Sequence, residues 1–289
     1  MRSKVLAIIE ILLVYAVMQA GGIALRSLGI VHWELQNLGW TYTGMLIFVG
    51  VPALVIWLAR RNWAEYGITT AGWQVNLDLG IKAYLVRIVP VAVLMLTILW
   101  LKMDYRTFPG GAITALGEIA GIAIMLLVLR RQQTDKAASS ARSNVITTIV
   151  LLLFPIVLAW MLGKLSLLIV STVVWQFIFS GFGEEFVWRG YVQSRLNQVF
   201  GRPLQLFSVK FGAGLIIASI LFGLLHAFNT YDPAVGFASL SWGWALSATF
   251  GGLFFGILRE KTGSLLACGL AHGLPDAVGE ALAGIFGWM

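Results

Sequence analysis

The sequence predicts an all-α, polytopic membrane bundle of eight or nine transmembrane helices, and three observations carry that prediction. Of 289 residues, 59% are hydrophobic and 11% charged, with a mean hydropathy of +0.86, whereas an average soluble domain is about 25% charged. Apolar runs of spanning length, about 20 residues each, recur near 5–25, 40–59, 79–101, 111–129, 145–163, 165–187, 211–229, 242–258 and 264–286. Alternation with a period of two is absent from these runs, so a membrane barrel is a poor fit, and helices are the other main way to satisfy the backbone in lipid.

Taken in order, the first run follows Arg2 and Lys4, which also invites a signal peptide. It is longer than the usual signal-peptide core, and no A-x-A-like cleavage site follows, so a span is the better reading. Around Trp63 and again around Trp73, aromatic and polar residues mix as in an amphipathic segment at the interface. The run 111–129 ends at RRQQTDKAASSARSN, residues 130–144, the most polar stretch of the chain; without hydrophobic periodicity it reads as an exposed loop. It separates N-terminal membrane helices of unassigned role, 1–144, from a C-terminal core, 145–289.

If nine spans alternate, Arg2 and Lys4, Arg60 and Arg61, the stretches Arg130–Arg142 and Arg189–Lys210, and Arg259 with Lys261 fall on one side. That side is expected to be cytoplasmic, together with the N-terminus. The net charge of +7 is scattered over short loops, which fits attraction to anionic membrane lipids rather than binding of nucleic acid. Cys268 is the single cysteine, so no internal disulfide exists and redox compartment is not indicated.

Chemistry concentrates after residue 165. An ionisable residue inside a span costs about 2.5–3.5 kcal/mol on insertion scales and so usually lines a cavity, pathway or site. Glu184 and Glu185 end an apolar run, and two of the three histidines, His226 and His272, lie in apolar segments. In GEEFVWRG, Glu185 and Arg189 are four apart on one helical face and can pair, which leaves Glu184 without an intrahelical partner, in an apolar setting suited to a general base. Both glutamates could instead mark the end of a span. His226 follows Gly223, whose lack of a side chain allows close helix approach; alone it reads as an interhelical hydrogen-bonding residue. His272 shares a face with Asp276 around Pro275, which frees the carbonyl of Ala271 beside them; alone, that pair reads equally as packing. In the first half, Glu10, Arg87 and Glu118 form no constellation and are expected to pair with one another or to snorkel.

In this order, Glu184-Glu185-x-x-x-Arg189, Phe222-x-x-x-His226 and His272-x-x-x-Asp276, with Lys261-Thr-Gly-Ser-Leu before the last span, resemble the CPBP family of CAAX proteases and bacteriocin-processing enzymes, also called ABI proteins. The resemblance covers roughly residues 165–289. It implies an intramembrane endopeptidase of a prokaryotic cell membrane, acting on a peptide or membrane-protein substrate with or without a lipid, and needing no cofactor. Carried over, Glu184 activates water, His226 positions the water or the glutamate, and His272 with Asp276 binds the oxyanion, while Glu185 and Arg189 give structural support. The family permits Asn or Asp at the last position, yet an ionised Asp276 cannot donate a hydrogen bond; either it is protonated or it orients His272.

Other readings compete. Glu184, His226 and His272 form a recognised zinc set with one position left for water, although the H-E-x-x-H signature is missing. Cys268 lies four residues from His272, but that pair would leave Glu184 unexplained. Ser264 is about 12 Å along a helix from His272, and a facing aspartyl dyad is not evident. Outside catalysis, a membrane scaffold or immunity protein could share the fold. A transporter would use broken helices and buried charges, but no inverted repeat is visible. One tension is geometric: with simple alternation, Glu184 lies near the cytoplasmic end of its helix and His226 about 22 Å into the next. A long, tilted glutamate helix through about Asn197 and a water-filled cavity open to the cytoplasm would resolve it.

Overall fold

A computed structural model describes residues 2–131, 137–232 and 234–287. It contains ten helices: α1 Arg2–Ser27, α2 Ile30–Leu38, α3 Tyr42–Leu58, α4 Trp73–Trp100, α5 Phe108–Arg131, α6 Ala141–Met161, α7 Leu167–Phe200, α8 Ala213–Phe228, α9 Trp242–Thr262 and α10 Leu265–Phe286. Each of the nine apolar runs falls on one helix. Five helices, α1 and α4 to α7, are long and apolar enough to cross a membrane; α3 and α8 are apolar but shorter. In α10, His272, Asp276 and Glu280 dilute the apolar run. A belt of large apolar side chains, among them Leu12, Leu46, Trp57, Val89 and Leu153, is exposed on the outside of the bundle, as lipid contact requires. The chain is an all-α integral membrane protein.

The short helix α2 and a hairpin, β1 Leu204–Leu206 against β2 Val209–Phe211, are additions to the sequence expectation. Trp63 begins one 3₁₀ turn, Trp63–Tyr66, capped by Asn62, whereas Trp73 opens α4 and so belongs to a span helix rather than to a separate interfacial segment. Of the expected loop 130–144, residues 132–136 lie outside the described residues. Its end is tied down: Asp78 accepts from the backbone of Ala138 and Ser139 and from the hydroxyl of Ser139.

Glycines decide how closely α7 and α10 approach. Gly181 faces Gly273 so tightly that a Cβ on Gly273 would come within 2.8 Å of the Phe177 carbonyl. Within α7, the stretches Trp175–Glu184 and Phe186–Gln193 wind as wider π-helix, a form that recurs at functional sites because it re-aims side chains. The main core packs Phe186, Trp188, Tyr191, Phe222, Phe254, Phe255 and Leu258 beneath α8 and α9.

Of the first-half charges, Arg87 and Glu118 pair with each other as anticipated, whereas Glu10 finds its partners elsewhere, two of them on α7. Arg87 forks onto Glu118 at 2.9 and 2.7 Å, and Glu10 accepts from Arg61, Tyr191 and Arg195.

Candidate active site

Helices α7 and α10 bring the second-half polar residues together. Glu185 and Arg189, one turn apart on α7, are fully buried and lie 3.3 Å apart. Their geometry is that of an ion pair rather than an aligned hydrogen bond, since Glu185 Oε2 and Arg189 Nε have no aligned partner. Arg189 Nη2 donates to the Gly252 carbonyl at 3.1 Å, and its guanidinium stands 4.5 Å from the Phe222 ring centroid. The opposite oxygen of Glu185 meets His272 Nδ1 at 2.9 Å. His272 Nε2 in turn faces Asp276 Oδ2 at 3.3 Å, and Ser180 donates to the same oxygen at 3.3 Å. A ring held between two carboxylates satisfies both by donating from both nitrogens. Phe255 stacks on that ring at 4.5 Å and 15°, which fixes its plane.

Glu184 points elsewhere. Its Oε2 is buried and accepts no hydrogen bond, and the charged groups that bear on it are His272, Asp276, Glu185 and Arg189. The two adjacent glutamates therefore divide their roles, Glu185 paired with Arg189 and His272 and Glu184 with its Oε2 unpartnered inside the protein. A buried acceptor left bare is costly, so its retention calls for a reason beyond packing.

His226 joins the same region by register. Gly214 on α8 packs against the Gln193 carbonyl and the Asn197 side chain of α7, where a Cβ would come within 2.5 Å of either. In an antiparallel pair, a step forward on α8 matches a step back on α7. The roughly twelve residues from Gly214 to His226, about 18 Å, thus carry the ring back along α7 toward the glutamates, where the charges that bear on it are those of His272, Asp276 and Arg189. The conflict between helix ends is removed because α7 continues to Phe200. His226 Nδ1 lies 2.8 Å from the Phe222 carbonyl and must donate to it, which leaves Nε2 as a bare acceptor. Its ring packs on Phe222 and Trp244, with centroids 4.4 and 5.1 Å apart, and Phe222 also meets His272 at 5.8 Å.

The zinc alternative fits this arrangement poorly. Among the described residues no three His, Cys, Asp or Glu side chains converge as a ligand group, and both ring nitrogens of His272 are engaged with carboxylates. Cys268 is fully buried, its thiol directed at the carbonyls of Ser264 and Leu265, in a setting without access for a substrate.

Residues from outside the motifs complete the site. Ser180, Phe255 and Trp244 carry no distinctive sequence signal. Arg87 is the more informative omission: its guanidinium stands 4.8 Å from the Phe255 ring, and its charge reaches Asp276 and Glu185. A basic residue within a span was the available signal.

The fold and this site define a class, membrane-embedded helical proteins whose buried carboxylates and histidines converge between spans. Residues 164–278 match a family model described as type II CAAX prenyl endopeptidase Rce1-like. This is the resemblance carried by the three motifs, and it implies an intramembrane endopeptidase acting on a peptide or protein substrate at the membrane. Neither a curated protein nor a solved structure matches the chain.

Proposed function

We propose that this protein hydrolyses a peptide bond near or within the membrane by water that Glu184 activates. The observation that supports this most is the bare, buried oxygen of Glu184 beside a histidine locked between Glu185 and Asp276. Glu184 takes a proton from water as the oxygen attacks the scissile carbonyl. The tetrahedral oxyanion forms against the His272 ring, whose Nε2–H turns to it from Asp276 Oδ2, 3.3 Å away, and the proton passes to the leaving amine as the C–N bond breaks. Preorganised donors of this kind act most strongly where water is excluded. The bare Nε2 of His226 holds the attacking water on the side opposite α10. Asp276 acts by orienting His272, because it already accepts from Ser180 and faces His272 Nε2.

On this reading the catalytic core is residues 145–289, and the N-terminal helices brace it. The chain spans a prokaryotic cell membrane eight or nine times with its N-terminus in the cytoplasm, its basic loops against anionic lipids. Substrate classes to test are a prenylated Cys-terminal peptide of CAAX type and a leader or bacteriocin-like peptide. Each is presented as an internally quenched peptide to protein reconstituted in liposomes. Glu184→Gln should lower turnover by about 10²–10⁴-fold, the usual contribution of a general base, with unchanged folded yield. A Glu184→Gln variant as active as the parent would overturn the mechanism.

A further inference from the structure

We propose that Arg87, held by Glu118, is a positioning residue of the site: it anchors the Phe255 ring and, through that ring, the plane in which His272 presents its nitrogens. The inference rests on the peptidase reading for what His272 does there, and on the packing of α4, α5, α9 and α10 for how the ring is held. Both members of the pair lie outside the matched residues 164–278, so the N-terminal half completes the site as well as surrounding it.

Close contacts run α4 alongside α10. The Leu265 N–H at the start of α10 donates to the Gly67 carbonyl, ahead of α4, at 3.0 Å. Gly80 of α4 packs on Leu270, where a Cβ would come within 2.8 Å of the leucine side chain, and Leu77, Ile81 and Tyr84 cluster with Leu270 and Leu274. The two helices therefore run in the same direction from neighbouring starts. About two turns beyond Gly80, Arg87 stands where its charge bears on Asp276 and Glu185.

The pair does more than neutralise a charge. Glu118 takes both Nε and Nη2 of Arg87, at 2.9 and 2.7 Å, and such a fork fixes the guanidinium plane as well as its position. The guanidinium stands 4.8 Å from the Phe255 centroid, within reach of a cation–π contact, and that contact strengthens where water is excluded; the Arg87 side chain is 14% exposed. The α9 backbone passes beside the pair at Gly251, where a Cβ would lie 3.6 Å from Glu118 Oε1 and 3.7 Å from Arg87 Nη2. Gly251 and Phe255 are one turn apart, so one face of α9 meets the pair and carries the ring that stacks on His272.

Charges are costly to keep inside a span, and apolar side chains of similar volume would pack these helices as well or better. The use of the pair lies in what the histidine must do. When Nε2–H leaves Asp276 for the oxyanion, one of the two edge contacts of the ring is given up, and the contact of Nδ1 with Glu185 and the Phe255 stack are left to hold it. A misplacement of about 1 Å costs on the order of 10²-fold in rate. Arg87 prevents it by anchoring the stack.

The test reads the rate and the ring separately. The double variant Arg87→Leu, Glu118→Leu removes the anchor without stranding a charge; should it not fold, Arg87→Gln with Glu118→Gln, which keeps a polar contact between α4 and α5, takes its place. With the quenched peptides in liposomes, kcat is expected to fall about ten- to a hundredfold with KM unchanged. In protein labelled with ¹⁵N-histidine, the ring signals that vanish in His272→Gln are expected to shift or broaden in the double variant, while those of His32 stay in place. Arg87→Lys, which keeps a cation beside Glu118 and Phe255, should recover part of both losses. A parental kcat, a change confined to KM, or unmoved His272 signals would overturn the proposal. Because the ring signals need no substrate, a parent protein that cleaves nothing, yet whose His272 signals move in the double variant, would sink only the peptidase reading.

Discussion

Arg189→Met provides the sharpest test of how the site is held together. The guanidinium is fully buried, 3.3 Å from Glu185, donates to Gly252, and lies over Phe222 and, at 5.5 Å, Phe255. Methionine preserves part of the volume but removes the charge, so Glu185 keeps only His272 as a partner. Removing one member of a buried pair costs about 3–5 kcal/mol, because the other charge is left uncompensated. At about 1.4 kcal/mol per tenfold, that is a shift of roughly two to nearly four powers of ten in the folding equilibrium. Replacing both members should cost far less, since a well-packed apolar pair in place of a buried ion pair is often neutral. The assay is reversible denaturation of the purified protein in mixed micelles, followed by tryptophan fluorescence, for Arg189→Met, Glu185→Leu and the double variant. The three together form a double-mutant cycle. The double variant should be markedly more stable than the sum of the two losses predicts. An Arg189→Met protein within about 0.5 kcal/mol of the parent, the range of ordinary surface substitutions, would refute the assignment of Arg189 as the counter-charge of the site.

Further outcomes follow from the same contacts. Arg87→Leu leaves Glu118 buried without its partner, and should cost about 3–5 kcal/mol; it should also lower turnover because Phe255 loses its support against His272, and adding Glu118→Leu should recover stability but not activity. Gly181→Ala places a Cβ on the backbone of Gly273, and should destabilise by about 1–3 kcal/mol, the usual cost of overpacking, with the melting temperature and turnover falling together. Prolonged dialysis against a chelator should leave turnover unchanged; a loss restored by zinc would return the Glu184, His226 and His272 ligand set to first place.

By itself the sequence determined the class of fold and named the second-half polar residues from which the candidate site is built. Low charge and repeated apolar runs admit little besides a helical bundle in lipid, because every backbone group in hydrocarbon must find its partner within the chain. The cost of burying charge singles out Glu184, Glu185, His226, His272 and Asp276, and the i to i+4 spacing pairs Glu185 with Arg189 and His272 with Asp276 on helix geometry alone. What local rules could not reach was every relation between helices. That Glu185 grips His272 as well as Arg189 depends on two glycines bringing α7 and α10 into contact. That His226 comes near His272, across Phe222, depends on how far α7 runs on and where α8 begins, neither of which hydropathy encodes. Arg87 looked like an isolated charge because its relation to the site passes through Phe255, a contact across helices far apart in the chain.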